Sequence, residues 1–235
     1  MAKKTVIQVR DLYRIYELGE EKVRALNGVS FDVHKGEFCA IVGTSGSGKS
    51  TLLNMLAGLE KPTKGKVVIA GEHIEKMNET KLVKFRQKHI GFIFQSYNLM
   101  PTMNAVENVA LPLMFAGVSK TERNERAVQM LKHVGLGKYM DHKPTQMSGG
   151  QQQRVGIARA LVVRPEIIFA DEPTGNLDSN TTMDVLHLLQ DIVLKQNQTL
   201  VMVTHDDHLA HFANRLIHIK DGKIEWIEEN EPITE

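Results

Sequence analysis

The most informative stretch of this sequence reads Gly43-Thr44-Ser45-Gly46-Ser47-Gly48-Lys49-Ser50-Thr51. It follows the apolar run 38–42, which has the composition of a buried strand, and it leads into a helical pattern over 49–57 that Gly58 is expected to end. Glycines at this spacing let the backbone turn its N–H groups inward, and the N-terminus of the following helix adds partial positive charge. The segment therefore predicts a loop that binds the phosphates of a nucleoside triphosphate.

Two side chains of this loop carry the chemistry. Lys49 supplies a full positive charge to the outer phosphates, and Ser50 supplies a hydroxyl suited to Mg²⁺. We count Lys49 among the candidate catalytic residues and Ser50 among the metal ligands. All residues of 43–51, Lys49 and Ser50 included, are candidate nucleotide-binding residues, because their backbone forms the cradle.

A second feature is an apolar strand that ends in two carboxylates, Asp171 and Glu172. Acidic residues at the carboxyl end of a parallel strand lie on the ligand-binding edge of the sheet. Asp171 is placed to hold Mg²⁺ directly or through water. Glu172 could then orient or deprotonate the attacking water. Together with the upstream loop, this pair predicts hydrolysis of the bound nucleotide.

The wider pattern favours an α/β fold with a mainly parallel core sheet. Short apolar runs alternate with helical patterns, at 66–70, 90–94, 167–170 and 199–204. Near the end of the sequence, Asp221-Gly222 separates two apolar runs and predicts a tight hairpin turn.

The middle of the chain has a different sequence pattern, with two helix-capping signals. Ser119 opens a capping-box pattern for a helix that runs toward Val134 and stops at Gly135. Ser148 opens a second helix, which is expected to run through Ala158. We interpret this part of the chain as a helical insertion in the α/β core.

Composition limits the choice of partners. The 235 residues carry a formal net charge of +1, which gives no reason to expect a nucleic acid as the main partner. No run of about 18 apolar residues, the length needed to span a bilayer, is present in the sequence. We therefore expect a cytoplasmic protein that reaches a membrane only through another subunit.

A further motif brings in a known family. Met147-Ser148-Gly149-Gly150-Gln151-Gln152-Gln153-Arg154 resembles the signature motif of ABC transporter ATPases, with methionine where leucine is commoner. The other elements of the family follow in the expected order along the whole chain. Tyr16 lies where family members have an aromatic residue that stacks on adenine. Gln95 resembles the Q-loop glutamine, the segment ending at Asp178 resembles the D-loop, and His205 resembles the switch histidine.

The resemblance implies a fold and a division of the chain. The fold is that of a P-loop NTPase of the ABC type, with a mainly parallel core sheet, an antiparallel β subdomain and a helical insertion. A single nucleotide-binding domain would occupy 1–235. Its RecA-like and antiparallel core would comprise 1–95 and 162–235, and its helical subdomain, which carries the signature motif, would comprise 96–161.

The resemblance also implies a mechanism. In this family two copies pair head to tail around two ATP molecules, as a symmetric dimer. Residues Ser148, Gly149, Gly150 and Gln151 of each copy would cap the γ-phosphate held by the partner's loop. Asp178 would lie at the seam, His205 would act as a catalytic residue near the γ-phosphate, and Gln95 would join the Mg²⁺ shell. Integral-membrane permease subunits would dock near 96–101.

Three shorter strings resemble one subgroup, the ATPases of lipoprotein-release, macrolide-export and peptide-antibiotic-resistance transporters. They are 171–178, 16–21 and His142-Lys143-Pro144. The permeases of this subgroup tend to couple ATP turnover to work at the outer face of the membrane. The ATPase would then be peripheral on the cytoplasmic face.

The alternatives differ in class. An ABC-type ATPase acting on DNA or ribosomes would carry a long coiled-coil insertion or two tandem ATPase halves, whereas this chain has one set of motifs. A P-loop kinase or a GTPase switch would leave Ser148–Gln153 unexplained, and the sequence lacks the Asn-Lys-x-Asp segment that reads guanine. A regulator that binds nucleotide without hydrolysing it is disfavoured by Glu172 and His205.

Overall fold

A computed structural model describes residues 4–19 and 21–231 of the protein. Glu20, which belongs to the 16–21 string, lies outside these residues. The strands are β1 (Thr5–Leu18), β2 (Glu21–His34), β3 (Phe38–Val42), β4 (Lys64–Ile69), β5 (Glu72–His73), β6 (Ile90–Ile93), β7 (Ile167–Asp171), β8 (Thr199–Thr204), β9 (Arg215–Lys220) and β10 (Lys223–Glu229). The α-helices are α1 (Lys49–Leu56), α2 (Glu79–His89), α3 (Ala105–Phe115), α4 (Lys120–His133), α5 (Gly149–Leu161), α6 (Ser179–Gln196) and α7 (Asp207–Ala210).

The core is a six-stranded sheet in the order β10-β9-β3-β8-β7-β6. All of its neighbouring strands are parallel except β9 and β10, which form the predicted hairpin. The turn of this hairpin has positive φ at both Asp221 and Gly222, 48° and 72°, which matches the twist of the strands. Every residue of β3 is buried, as expected for a strand covered on both faces. The prediction of a mainly parallel core is confirmed.

A second sheet is antiparallel, in the order β2-β1-β4-β5. The apolar run predicted at 66–70 lies in this sheet as part of β4 and not in the parallel core. The strand ends at Ile69 because Ala70 has a positive φ of 52°, which begins a turn. The antiparallel subdomain that the family resemblance implies is therefore present.

Three helices, α3, α4 and α5, lie between β6 and β7, where the sequence predicts the helical insertion. Both α3 and α5 begin with a complete capping box, from Asn104 and Ser148 respectively. At α4 the Ser119 side chain accepts a hydrogen bond from the Glu122 backbone. Helix α5 continues to Leu161, about one turn beyond the predicted end at Ala158. The subdomain limits at 96 and 161 stay a prediction.

The core sheet separates two apolar layers. Phe38, Ala40 and Val42 of β3 face a cluster that includes the helices α3 to α6, and Cys39 and Ile41 face the cluster formed with α1 and the antiparallel sheet. This alternation leaves the carboxyl ends of the parallel strands as the exposed edge, where the candidate site lies. Among the described residues, no helix is both long and apolar enough to cross a membrane.

Candidate functional site

The glycine-rich loop joins β3 to α1, as the sequence predicts. Gly48 is the N-cap of α1 with φ of 101°, and a Cβ at this position would lie 2.3 Å from the Ala25 carbonyl oxygen of β2. At Gly43 a Cβ would lie 2.1 Å from the Ile219 carbonyl oxygen of β9. The backbone of neighbouring strands therefore lies too close to Gly43 and Gly48 for any side chain, and only glycine fits at these two positions.

This close packing predicts the effect of Gly48→Ala, which combines a positive φ with a backbone clash. We expect the free energy of unfolding without nucleotide to fall by at least ~3 kcal/mol, measured by urea denaturation. Gly46→Ala is the matched control, because Gly46 also has positive φ, 80°, but a Cβ there would contact nothing within 4 Å. Its cost should be about 1–2 kcal/mol, and equal losses in the two variants would contradict the role of the close approach.

Lys49 begins α1 and is almost fully buried, with 5% of the residue exposed. Its ammonium donates hydrogen bonds of 2.7 Å to the carbonyl oxygens of Gly43 and Thr44. Burial lowers the pKa of Lys49, and the nearby charges of Glu172 and Asp171 act in the opposite direction. The loop thus curls around a cation that faces two carboxylates.

The Ser47 hydroxyl is a second polar group inside the loop. Ser47 is 3% exposed, and its Oγ has no hydrogen-bond partner among the described residues. A buried polar atom without a partner is unfavourable unless a ligand or water satisfies it. The Thr44, Ser45 and Gly46 residues are exposed beside it. The loop therefore has both a donor and space for an anionic ligand.

Asp171, at the carboxyl end of β7, faces the start of α1. The Ser50 hydroxyl donates a 3.4 Å hydrogen bond to Asp171 Oδ1. Burial, followed by the charge of Glu172, raises the pKa of Asp171. A hydroxyl and a carboxylate side by side fit Mg²⁺, which is usually held by one or two protein oxygens together with phosphates and water. No cluster of three or more His, Cys, Asp or Glu residues that could enclose a metal occurs in the described ranges.

Glu172 lies at the next position and has a positive φ of 43°. Its backbone N–H donates to the Val203 carbonyl oxygen of β8 at 3.0 Å, which fixes the turn. Its carboxylate oxygen Oε1 lies 2.9 Å from Nδ1 of His205, the residue that follows β8. A cavity of about 450 Å³ opens beside this pair and is lined also by Gly175, by Ser179 and other residues at the start of α6, and by residues of α7. A carboxylate and an imidazole thus share one side of the cavity.

Gln95 lies just beyond β6 and packs against the segment that follows Glu172. The Asn176 side chain donates to the Gln95 carbonyl oxygen at 3.0 Å, and a Cβ at Gly175 would lie 2.7 Å from Gln95 Nε2. No hydrogen bond joins the Gln95 side chain to Ser50 or Asp171 within the described residues. Its membership of the Mg²⁺ shell stays a prediction.

Asp178 is the N-cap of α6. It accepts hydrogen bonds from the Thr181 backbone at 3.1 Å and from the Thr181 hydroxyl at 2.7 Å. These hydrogen bonds lower the pKa of the exposed Asp178 carboxyl. The D-loop therefore ends in a fixed, ionised side chain at the surface.

The signature motif forms the N-terminus of α5. Ser148 Oγ accepts from the Gln151 backbone at 3.3 Å, and Gln151 Oε1 accepts from the Ser148 backbone at 3.0 Å. A Cβ at Gly150 would lie 2.2 Å from Thr181 Cγ2, so this turn packs on the start of α6. In the described part of the chain, no hydrogen bond joins 148–151 to the glycine-rich loop. The chain therefore has two separate helix N-termini of the kind that bind anions.

One residue next to the site was not anticipated. Gln153 is fully buried, and its Nε2 donates a 2.5 Å hydrogen bond to the carbonyl oxygen of Pro173. It thereby joins the signature helix α5 to the turn immediately after Glu172. A run of three glutamines, Gln151 to Gln153, contains no signal that would single out the last of them.

Tyr16 lies on β1, in the antiparallel sheet. Its hydroxyl donates to the Glu60 carboxylate, with distances of 2.8 and 3.0 Å to the two oxygens. The Arg14 guanidinium carbon lies 4.4 Å from the centre of the Tyr16 ring. The phosphate loop contacts the same sheet through Ala25 of β2.

A parallel sheet with a glycine-rich loop after β3 and two carboxylates at the carboxyl end of β7 defines a P-loop nucleoside triphosphatase. The ABC transporter family model matches residues 26–175. The chain belongs to the ABC transporter family, as an ATP-binding and ATP-hydrolysing cassette.

Individual relatives agree with this assignment. An uncharacterised ABC transporter ATP-binding protein of Thermotoga maritima is 51% identical over 225 residues, which is 96% of each chain. The macrolide export ATP-binding/permease protein MacB of Shewanella sp. strain ANA-3 is 48% identical over 94% of this chain but only 34% of its own length. The chain therefore spans about a third of MacB. The match confirms the predicted resemblance to macrolide-export ATPases.

Solved structures show the same fold. The ATP-binding cassette MJ0796, in a dimeric post-hydrolysis state with ADP and phosphate, matches with a TM-score of 0.89 and 43% identity. The match covers 97% of this chain and all of that one. A second dimeric structure of MJ0796, described as a bacterial ABC transporter cassette, matches with the same TM-score and 44% identity.

Proposed function

We propose that two copies of this chain pair head to tail around ATP and that closing and reopening of this dimer drives a membrane permease. The observation that carries the proposal is the separation of the two anion-binding helix N-termini, at Lys49 and at Ser148, within one chain. One triphosphate needs only one such cradle. In a symmetric pair, each Ser148 helix would complete the site formed by the partner's loop.

Within each site, the loop residues bind and neutralise the triphosphate. Lys49 would exchange its two carbonyl partners for phosphate oxygens, and the free Ser47 hydroxyl would donate to another. Ser50, Asp171 and Gln95 would hold Mg²⁺. When bound, Mg²⁺ neutralises charge on the β- and γ-phosphates and orients them for attack.

The proposed catalytic step uses the pair at the cavity. Glu172 accepts a proton from the attacking water at its carboxylate, while His205 keeps that carboxylate oriented and contacts the γ-phosphate region. The water oxygen bonds to the γ-phosphorus, the bond from this phosphorus to the bridging oxygen breaks, and ADP is the leaving group. The Lys49 ammonium stabilises the charge on the transferred phosphoryl oxygens. Asp178 would lie at the interface between the two copies. Release of phosphate then removes the group that both copies bind, so the dimer opens.

The partners follow from the relatives. In MacB an ATP-binding part and a permease share one protein, which supports an integral-membrane permease as the partner of this chain. We propose that the protein is peripheral on the cytoplasmic face of the membrane and that it serves export, lipoprotein extraction or resistance to antimicrobial peptides. The loop segment near 96–101, which precedes α3 and includes the exposed Met100, would form part of the permease contact.

Mixing two inactive variants tests the shared site. Lys49→Ala disables the loop, and Ser148→Arg places a bulky cation at the signature helix. In a mixed head-to-tail pair, one site would contain an intact loop and an intact signature. We expect each variant alone to release almost no phosphate and the mixture to recover up to roughly a quarter of the wild-type rate, because half of randomly formed pairs are mixed and each has one intact site.

The control for this experiment mixes Lys49→Ala with Glu172→Gln, which both affect the same half of the site. This mixture should recover nothing, because no pairing restores an intact loop together with an intact carboxylate in one chain. Full activity of Ser148→Arg alone would contradict the proposal, since each chain would then complete its own site.

A further inference from the structure

Arg14, Tyr16 and Glu60 form a cluster that we call the tyrosine clamp. Arg14 and Tyr16 are two residues apart on β1, so their side chains share one face of the strand. The Arg14 guanidinium lies over the Tyr16 ring. Its Nη2 atom forms an ion pair with Glu60 Oε1 at a distance of 2.7 Å. The Glu60 carboxylate also accepts a hydrogen bond from the Tyr16 hydroxyl. Each of the three side chains therefore contacts both others.

The clamp is partly buried and tightly constrained. The Arg14 and Glu60 side chains are 27% and 22% exposed, whereas the side chains of the Arg10–Asp32 pair on β1 and β2 are 46% and 33% exposed. The Nε atom of Arg14 is buried without a hydrogen-bond partner in the described part of the chain. Desolvation of this group is unfavourable, so the arrangement is not explained by fold stability alone.

The clamp also links the antiparallel sheet to the phosphate loop. Helix α1 begins at Lys49 and is about 12 Å long by its rise per residue. The backbone N–H groups of Leu59 and Glu60 donate to the Asn54 carbonyl oxygen of α1 at 2.8 and 3.3 Å. Tyr16 is therefore linked through Glu60 to the end of the helix whose first residue, Lys49, is proposed to bind phosphate.

One face of the Tyr16 ring is covered by Arg14, and this decides which face can stack. A ring whose orientation is set before binding loses little conformational freedom when a base stacks on it. Stacking of a base on an aromatic side chain tolerates every base, because each has a π-face. The clamp thus provides one preoriented stacking surface at a set position relative to the phosphate loop.

We propose that Arg14 and Glu60 are positioning residues that hold Tyr16 as a base platform and so make the site prefer a base-bearing triphosphate over a bare polyphosphate. The inference rests on the proposed function and on the stacking of adenine on Tyr16 that the family resemblance implies. It assigns no chemical step to either residue. Their effect acts on binding of the base, through Tyr16.

The test compares dissociation constants for MgATP and for magnesium tripolyphosphate, which has the phosphates but no base. For Tyr16→Ala, Arg14→Ala and Glu60→Ala we expect ATP to bind about five- to tenfold more weakly, while tripolyphosphate changes less than about twofold. Glu60→Gln, which keeps an acceptor for the Tyr16 hydroxyl, should recover part of the ATP affinity. Arg10→Ala, which removes the exposed ion pair on β1, is the matched control and should change neither constant.

A double-mutant cycle separates positioning from a structural effect. In the Tyr16→Ala background, Arg14→Ala and Glu60→Ala should have no further effect on ATP affinity, because they act through the ring. Equal loss of ATP and tripolyphosphate binding would mean that the clamp only supports the loop, and would overturn the proposal. An unchanged ATP-to-tripolyphosphate ratio in Tyr16→Ala would overturn the base platform while leaving the hydrolytic site intact. Failure of the wild-type chain to bind either ligand would overturn the proposed function itself.

Discussion

Glu172→Gln is expected to keep ATP binding, to lower phosphate release by at least ~100-fold and to hold two chains together when ATP is added. The amide cannot accept a proton from water, so the γ-phosphate stays in place. Because that phosphate is the group that both copies would bind, the closed pair should persist. Light scattering on a sizing column, with and without ATP, measures the change from monomer to dimer.

The geometry around Glu172 makes this substitution a clean probe. Its backbone is held in a positive-φ conformation by the hydrogen bond to Val203, and this bond does not involve the side chain. Glutamine has the same length and can keep an oxygen near His205 Nδ1, which lies 2.9 Å from the carboxylate in the native chain. The substitution therefore removes the proposed proton acceptor with little change in shape.

Glu166→Gln is the matched control, because it makes the same change just before the opposite end of the same strand. Glu166 lies 2.9 Å from His89 Nδ1, away from the phosphate loop. We expect this variant to hydrolyse ATP like the wild type and to show no ATP-stabilised dimer. Wild-type turnover in Glu172→Gln would exclude Glu172 as the general base. A Glu172→Gln chain that binds ATP and stays monomeric would show that closure needs the permease.

The core of the fold could be predicted from local sequence because its signals are local. The loop at 43–51 includes its own glycines, follows a fully apolar strand and precedes a helix, so neighbouring residues are sufficient to predict its form. The Asp221-Gly222 hairpin is of the same kind, since positive φ at both residues is a property of the turn itself.

The long elements outside this core were harder to predict. The β1–β2 hairpin contains several register shifts, at Val9 and Leu12 among other places, and these interrupt the strict alternation that marks a strand. Helix α3 begins with a capping box at Asn104 and includes Pro112, which normally argues against a helix interior. For these elements tertiary packing outweighs the local pattern.

Assembly of the site depends on topology, which the motifs do not contain. Lys49 follows β3, His205 follows β8 and Glu172 follows β7, and these three strands are neighbours in the order β3-β8-β7. The carboxyl ends of parallel neighbours meet at one edge, so the three side chains converge. The tyrosine clamp could not be predicted from the sequence, because Glu60 is 44 residues from Tyr16 and no motif connects the two.

Lys49→Ala should have the opposite effect from Glu172→Gln on ATP binding and on ATP-driven pairing. Loss of the ammonium would remove the proposed charge-assisted hydrogen bonds to the phosphates, so we expect ATP affinity to fall by about 10- to 100-fold and ATP-driven pairing to disappear. Titration calorimetry measures the affinity, and the sizing-column experiment measures the pairing. Lys138→Ala, at an exposed lysine of the helical part, is the control and should change neither.

The two variants together separate binding from hydrolysis. Glu172→Gln should bind ATP and stay closed, whereas Lys49→Ala should stay open because the ligand that joins the two copies is missing. In the double variant the Lys49 effect should dominate, since a pair that never closes cannot be trapped. A double variant that still dimerises with ATP would contradict this order, because pairing would then not require phosphate binding by the loop. It would also show that the signature helix at Ser148 alone can hold the nucleotide.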